Sequence, residues 1–224
     1  MNGNVLPPIG IAISGFRYTG RTELFKKLKL VLPNAFRGCD FEFLENPFSR
    51  LPHPLMWDGD DRKYSLSRTL GCWADFEELI KSQWFQAVRD NKIPVMDGCG
   101  LDVVLYALAR ARCEKDEEEV LKLHHLLVDW RIKAQGLDAP YYIITRAETS
   151  VLAAYLAQKV KNKGVSLQAA TAFIEREIGV VKKYFAVGNG QKPPHYLDPR
   201  ATQEQMLQSS ISHIGMLLGA TAQK

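Results

Sequence analysis

The chain has 224 residues, 46% of them apolar and 24% charged, which suits a soluble globular domain with a substantial core and excludes a disordered or low-complexity one. Its formal charge of +4 suits anionic ligands, yet no long Lys/Arg run marks a nucleic-acid surface. No run of about 18 apolar residues is present, which excludes a transmembrane helix.

The first element is the most informative. Ile9 to Ile13 is a short apolar run that reads as a strand, and Gly15-Phe16-Arg17-Tyr18-Thr19-Gly20-Arg21-Thr22 follows it directly. The pattern G-x-x-x-x-G-K-[ST] is met at Gly15, Gly20 and Thr22, while the lysine position holds Arg21. Glycines let backbone N–H groups turn inward as an anion cradle, the lysine reaches the outer phosphates, and the Ser/Thr hydroxyl serves Mg²⁺. Arginine keeps the charge but not the shape, since its planar fork favours bidentate partners. Tyr18 places a bulky ring where close backbone approach is needed. Thr22 to Leu32 supplies the following helix, with Leu24, Phe25, Leu28 and Leu32 at helical spacing. A strand starting near Ile9 leaves no length for a signal or transit peptide, so the chain is expected to be cytosolic in type or already processed.

Beyond the loop, strand and helix patterns alternate, which argues for a parallel sheet with helices on both faces. Phe41–Leu44 is a second apolar run. Residues 62–89 carry a helical stripe through Leu66, Leu70, Trp73, Phe76, Leu79, Ile80, Trp84 and Val88. Ile93–Asp97 is a third strand ending in a carboxylate. Helices are expected at 101–112 and 115–135. The second has acidic residues near its start, Arg131 and Lys133 near its end, and Gly136 as C-cap. Tyr141–Thr145 is a fourth strand. Helices follow at 148–161 and 166–185, split by a turn at Asn162-Lys163-Gly164. Residues 188–194 form a loop, His195–Asp198 a short fifth strand, and 202–218 an amphipathic last helix. No linker or repeat interrupts this order, so one domain over residues 1–224 is expected.

In this order the segments resemble the deoxynucleoside kinase family, relatives of thymidylate kinase, over roughly residues 8–219. The loop Gly15–Thr22 carries part of the likeness. Glu42-Phe43-Leu44-Glu45-Asn46-Pro47-Phe48 is similar to the family's E-P-V segment running into N-P-F, and Tyr64–Leu79 to its substrate-side helix. Asp97-Gly98-Cys99 stands where the family has Asp-Arg-Ser. Ala139–Ile144 and Tyr196-Leu197-Asp198 are similar to its last two strands.

The resemblance implies a P-loop NTPase-like three-layer α/β fold, with a five-stranded parallel sheet and helices on both faces. It implies Gly15, Gly20, Arg21 and Thr22 as nucleotide-binding residues, with Thr22 on the metal side. Glu42 stands at or near the catalytic carboxylate that takes the proton of the sugar 5′-hydroxyl, with Glu45 as its competitor in register. Asp97 matches the aspartate ending the third strand, a role to be weighed against a simple strand-end cap. Lys159, Lys161 and Lys163 fall where the family has an arginine-rich lid, or form a solvated helix end. The implied ligands are ATP or a deoxynucleotide with Mg²⁺, or none in a degenerate chain.

The departures are as informative as the matches. Arg21 replaces the lysine, Tyr18 a small residue, and Gly98 an arginine. Thr69 stands where the family's glutamine meets the base. Losing one preorganised charge contact at such a site typically costs ~10²–10³-fold in rate. Several losses on an intact scaffold point to a structural or regulatory subunit of a larger assembly. The nucleoside-kinase-like accessory subunit of mitochondrial complex I is similar in kind, and a matrix location follows from that analogy. An active divergent nucleoside or nucleoside monophosphate kinase, and a nucleotide-sensing module, are the competing readings.

Other features read more simply. Cys39, Cys72, Cys99 and Cys113 show no C-x-x-C pair and suit reduced core thiols. His124 and His125 diverge by about 100° on a helix and are poorly placed as paired ligands. Trp73, Trp84 and Trp130 fall on helical stripes, and Trp57 suits a cover over a cleft or partner surface. Met206, Ile211, Ile214 and Leu218 on the last helix suit docking or core packing equally.

Overall fold

The computed structural model describes residues 10–15, 19–46, 71, 80, 82–98, 100–111, 115–122, 141–159, 165–186 and 193–221. The strands are β1 (Ile11–Gly15), β2 (Phe41–Leu44), β3 (Ile93–Asp97), β4 (Tyr141–Thr145) and β5 (His195–Tyr196). The helices are α1 (Arg21–Ala35), α2 (Gly100–Arg110), α3 (Thr149–Lys159), α4 (Leu167–Ala186) and α5 (Gln203–Thr221). Residues 82–89 and 115–122 are also helical.

All five strands are parallel, in the order β2-β3-β1-β4-β5. The expected α/β fold with a five-stranded parallel sheet is therefore the one observed. Parallel strands need crossovers, and the helices between them cover both faces. The two-residue period sorts the side chains into two cores. Ile11, Ile13, Ile93, Val95 and Ile143 face α1 and α5, meeting Leu24, Leu28, Leu32, Met206, Ile214 and Leu218. Ala12, Met96, Tyr142 and Ile144 face the other way, toward Tyr106, Leu152, Leu156, Phe173, Ile174 and Trp84. Ile11, Ala12, Ile13 and Ser14 have no exposed surface, as the central strand of such a sandwich requires.

Local signals set the helix ends. Thr202 and Gln205 form a reciprocal capping box at the start of α5: Gln205 N donates to Thr202 Oγ1 at 3.2 Å, and Thr202 N donates to Gln205 Oε1 at 2.8 Å. Ser166 caps α4 by accepting from Ala169 N at 3.1 Å.

Several boundaries differ from the sequence reading. β1 runs on past Ile13, because Ser14 and Gly15 still pair with Ile144 and Thr145. α1 begins at Arg21 and continues through Pro33, which lies in its exposed last turn. α2 stops at Arg110 rather than 112, closing with a tight bond from Ala111 N to Leu108 O at 3.2 Å. β5 is two residues long, although Leu197 N still reaches Ile144 O at 3.0 Å. Met206, Ile214 and Leu218 are buried and Ile211 is half-buried, so the last helix's apolar stripe is core. Trp84 is buried as expected, and Cys39 is a half-buried free thiol whose pKa is pushed up by burial and by the Asp40 charge. Tyr18, Trp57, Thr69, Trp73, Trp130, His124, His125, Gly136, Cys72, Cys99, Cys113 and the Asn162–Gly164 turn lie outside the described residues.

Candidate functional site

The carboxyl ends of β1, β3 and β4 meet at the start of α1. Asp97 is the last residue of β3 and lies opposite Ile13 of β1, while Thr145 ends β4 opposite Gly15. After Asp97 the chain turns at Gly98, whose φ of 80° is left-handed and whose N–H still bonds Ile13 O at 2.8 Å. α2 starts two residues later and carries Asp102 in its first turn.

Arg21 joins these parts. It opens α1, and its guanidinium reaches back across the sheet end. Nε donates to Asp97 Oδ1 at 3.0 Å and Nη1 to Asp102 Oδ2 at 2.9 Å. A planar fork can span two carboxylates in this way, whereas an ammonium is a single point charge. Thr22 Oγ1 donates to the other oxygen of Asp97 at 3.2 Å. Asp102 Oδ1 accepts from the Ser14 hydroxyl and, over a long 3.4 Å, from Gly15 N.

The Asp97 side chain is only 5% exposed. Burial pushes its carboxyl above the usual range, Arg21 and Thr22 oppose that rise, and the neighbouring Asp102 charge adds to it.

Thr19 and Gly20 are fastened from other directions. The hydroxyls of Thr19 and Thr145 are 2.6 Å apart, and Thr145 Oγ1 donates to Ser14 O at 3.2 Å. Thr19 can therefore donate onward in a two-bond relay that holds it to β4. Gly20 adopts φ 78°, and its carbonyl accepts from Leu24 N at 2.9 Å as the first bond of α1. Gln203 Nε2 also reaches that carbonyl, at 3.4 Å.

The structure thus brings Gly15, Gly20, Arg21, Thr22 and Asp97 together. It does not bring Glu42 to them. Glu42 pairs with Pro94 in the sheet, three residues before Asp97, which is about 10 Å along a strand. Its carboxylate instead accepts from Lys92 Nζ at 2.8 Å. The competitor Glu45 follows β2 and is paired with Lys29 of α1 at 3.2 Å. Lys159 is the last residue of α3; its side chain, and Lys161 and Lys163, lie outside the described residues. Asp102 and Ser14 are site residues that the sequence reading missed. An acid in the first turn of a helix matches the dipole at any helix, so Asp102 carried no signal of its own.

In this arrangement the Arg21 fork and the Gly15 N–H each meet a carboxylate oxygen. Thr22 Oγ1 and Asp97 are oxygen donors of the kind a hard divalent cation takes, but one Asp97 oxygen is held by the guanidinium. Among the described residues, no group of three or more His, Cys, Asp or Glu could hold a metal ion, and no helix is long and apolar enough to cross a membrane.

No protein-family model and no curated protein matches the sequence. Among solved structures, the chain is similar to deoxyadenosine kinase from M. mycoides with bound dATP, at a TM-score of 0.61 and 12% identity over 92% of this chain and 100% of that chain. It is similar to the same enzyme with products dCMP and a flexible dCDP bound, at a TM-score of 0.60 and 12% identity over 93% and 100%. With bound dCTP the values are 0.59 and 13% over 93% and 100%. At such identities the likeness is one of fold. The chain has the P-loop fold of the deoxynucleoside kinases.

Proposed function

We propose that this protein keeps the nucleoside-kinase scaffold without its phosphoryl-transfer chemistry, and serves as a non-catalytic subunit of a larger assembly. One observation carries this reading: the cation at the loop's lysine position is committed to Asp97 and Asp102. Phosphoryl transfer depends on positioned charge around the transferred group. Here that charge is spent within the protein, and Glu42 is paired with Lys92 away from the loop. The complex I accessory subunit that the sequence resembles in kind is the pattern for such a role, and a mitochondrial location goes with it.

The neighbouring M. mycoides enzyme holds dATP, dCTP or dCMP, so deoxynucleotides are the natural probes. A mixed-nucleoside kinase assay with ATP and Mg²⁺ tests the reading. No product at ordinary enzyme concentrations is the expected result, and phosphorylation at an ordinary turnover rate would overturn it.

A second reading, an active divergent kinase, draws support from the contact between Thr22 and Asp97. It requires turnover in the same assay, and loss of that turnover in Glu42→Gln if Glu42 is the base.

A further inference from the structure

A phosphate loop is a set of donors converging on one small volume. In this chain several of those donors end on a single carboxylate. Asp102 comes from the first turn of α2, far along the chain from the loop. Its Oδ1 accepts from Ser14 Oγ and Gly15 N, and its Oδ2 accepts from Arg21 Nη1 at 2.9 Å. These donors are the end of β1, the first glycine of the motif and the residue in the lysine place. The Asp102 side chain is 20% exposed, so most of it is withdrawn from water.

Gly98 makes the seat possible. A Cβ there would lie 2.9 Å from Asp102 Oδ2, 3.3 Å from Asn46 Nδ2 and 3.4 Å from Arg21 Cζ. A side chain at 98 would meet the carboxylate and the guanidinium at the place where they join. Arg21 and Gly98, two separate departures from the kinase pattern, are thus two halves of one packing arrangement.

Building on the non-catalytic reading above, the geometry points to Asp102 as a built-in anion that occupies the Gly15 N–H and one arm of Arg21 and competes with di- and triphosphates for them. A polyphosphate entering the cradle must break the Arg21–Asp102 pair. It must also approach two carboxylates, and like charges at such separations repel strongly outside bulk water. Removing the charge at 102 while keeping the side chain's shape ends the ion pair with Arg21 and leaves one amide oxygen as acceptor, so an incoming phosphate no longer competes with a carboxylate. Arg21 remains anchored through Nε to Asp97, so its own position is kept.

The test is calorimetric titration of inorganic tripolyphosphate, without divalent metal, into the full chain and into Asp102→Asn. Asp102→Ser is a second neutral variant, and thermal unfolding verifies that each is folded. The expected result is binding at least about tenfold tighter in the neutral variants than in the parent chain. Equal affinity, or equal absence of binding, overturns the assignment. Loss of folding in both variants also overturns it, because a group that only fills the cradle is dispensable to the fold. The kinase assay separates the two readings. Tighter binding in Asp102→Asn alongside turnover in the parent chain would keep the built-in anion and discard the non-catalytic role. An inert parent chain with unchanged binding in the variants would do the reverse.

Discussion

Gln203 lies against Gly20 across 183 residues of sequence, its Nε2 donating to the Gly20 carbonyl at 3.4 Å. The first residue of the last helix thereby rests on the glycine that starts the first helix. At Gly20 a Cβ would overlap the Gln203 amide, and the φ of 78° disfavours any side chain in addition.

Gly20→Ala is accordingly expected to lose stability by about 1–2 kcal/mol from the backbone conformation alone. Because the overlapping atoms are the end of a flexible side chain, adding Gln203→Ala should recover the steric part and leave the conformational part. Urea denaturation of the single and double variants reads the two parts separately. Full recovery in the double variant would show that φ carries no cost here.

Gly10 presents a different problem. It has no left-handed backbone, but a Cβ there would run into the ring of Trp84, which is 3% exposed. A buried indole cannot swing aside as an amide can, so Gly10→Ala should cost about 1–3 kcal/mol through overpacking. A stability within experimental error of the parent chain would contradict this packing.

Arg21→Lys restores the letter of the phosphate-loop motif, yet it should destabilise the protein. A lysine can meet one carboxylate but not span two in the Arg21 geometry. We expect a loss of about 1 kcal/mol for Arg21→Lys and about 3 kcal/mol for Arg21→Ala, which leaves Asp97 buried without its cation. Chemical denaturation decides it, and an unchanged or raised midpoint in Arg21→Lys would count against the spanning geometry.

Among the described residues, half-buried histidines and a buried carboxylate give pH dependences of opposite sign. His195 and His213 stack with ring centroids 4.3 Å apart and planes 10° from parallel. Burial lowers the ionisation of both, and the His195 charge lowers that of His213 further. The unfolded chain then binds more protons near and below the ordinary histidine value of about 6.5, so their stabilisation is full above it and is lost as pH falls. Asp97 works the other way. Its raised value gives stability that is complete below the unfolded carboxylate range and is lost as pH rises through its folded value. Between about pH 7 and 5 the histidine contribution to the unfolding free energy should fall with acidification. His213→Gln should flatten that slope, and an unaltered slope would remove the pair as its cause.

Much of the fold was legible in the sequence, and the reason is physical. β2, β3 and β4 are runs of β-branched and aromatic residues bounded by turn residues, and their ends were read as they stand. The sequence pattern places β1 at Ile9–Ile13, two residues short at its carboxyl end, because Ser14 and Gly15 look like loop and only their pairing with Ile144 and Thr145 makes them strand. The site was half legible. Gly15, Gly20, Arg21 and Thr22 are contiguous, and Asp97 ends a clear strand. Asp102 meets Ser14 over 88 residues, and Glu42 meets Lys92 over 50. Such ties depend on which strands lie side by side, which a linear pattern does not contain.

The sheet described above has a consequence for how copies of this chain behave in company. Among the described strands its flanks are β2, four residues long, and β5, two residues long. The β2 flank carries the charged couple of Glu42 and Lys92. Brief, charge-bearing margins offer few open backbone groups for a neighbour's strand to zip onto. Among the described residues, both margins of the sheet are thus poor templates for edge-wise pairing.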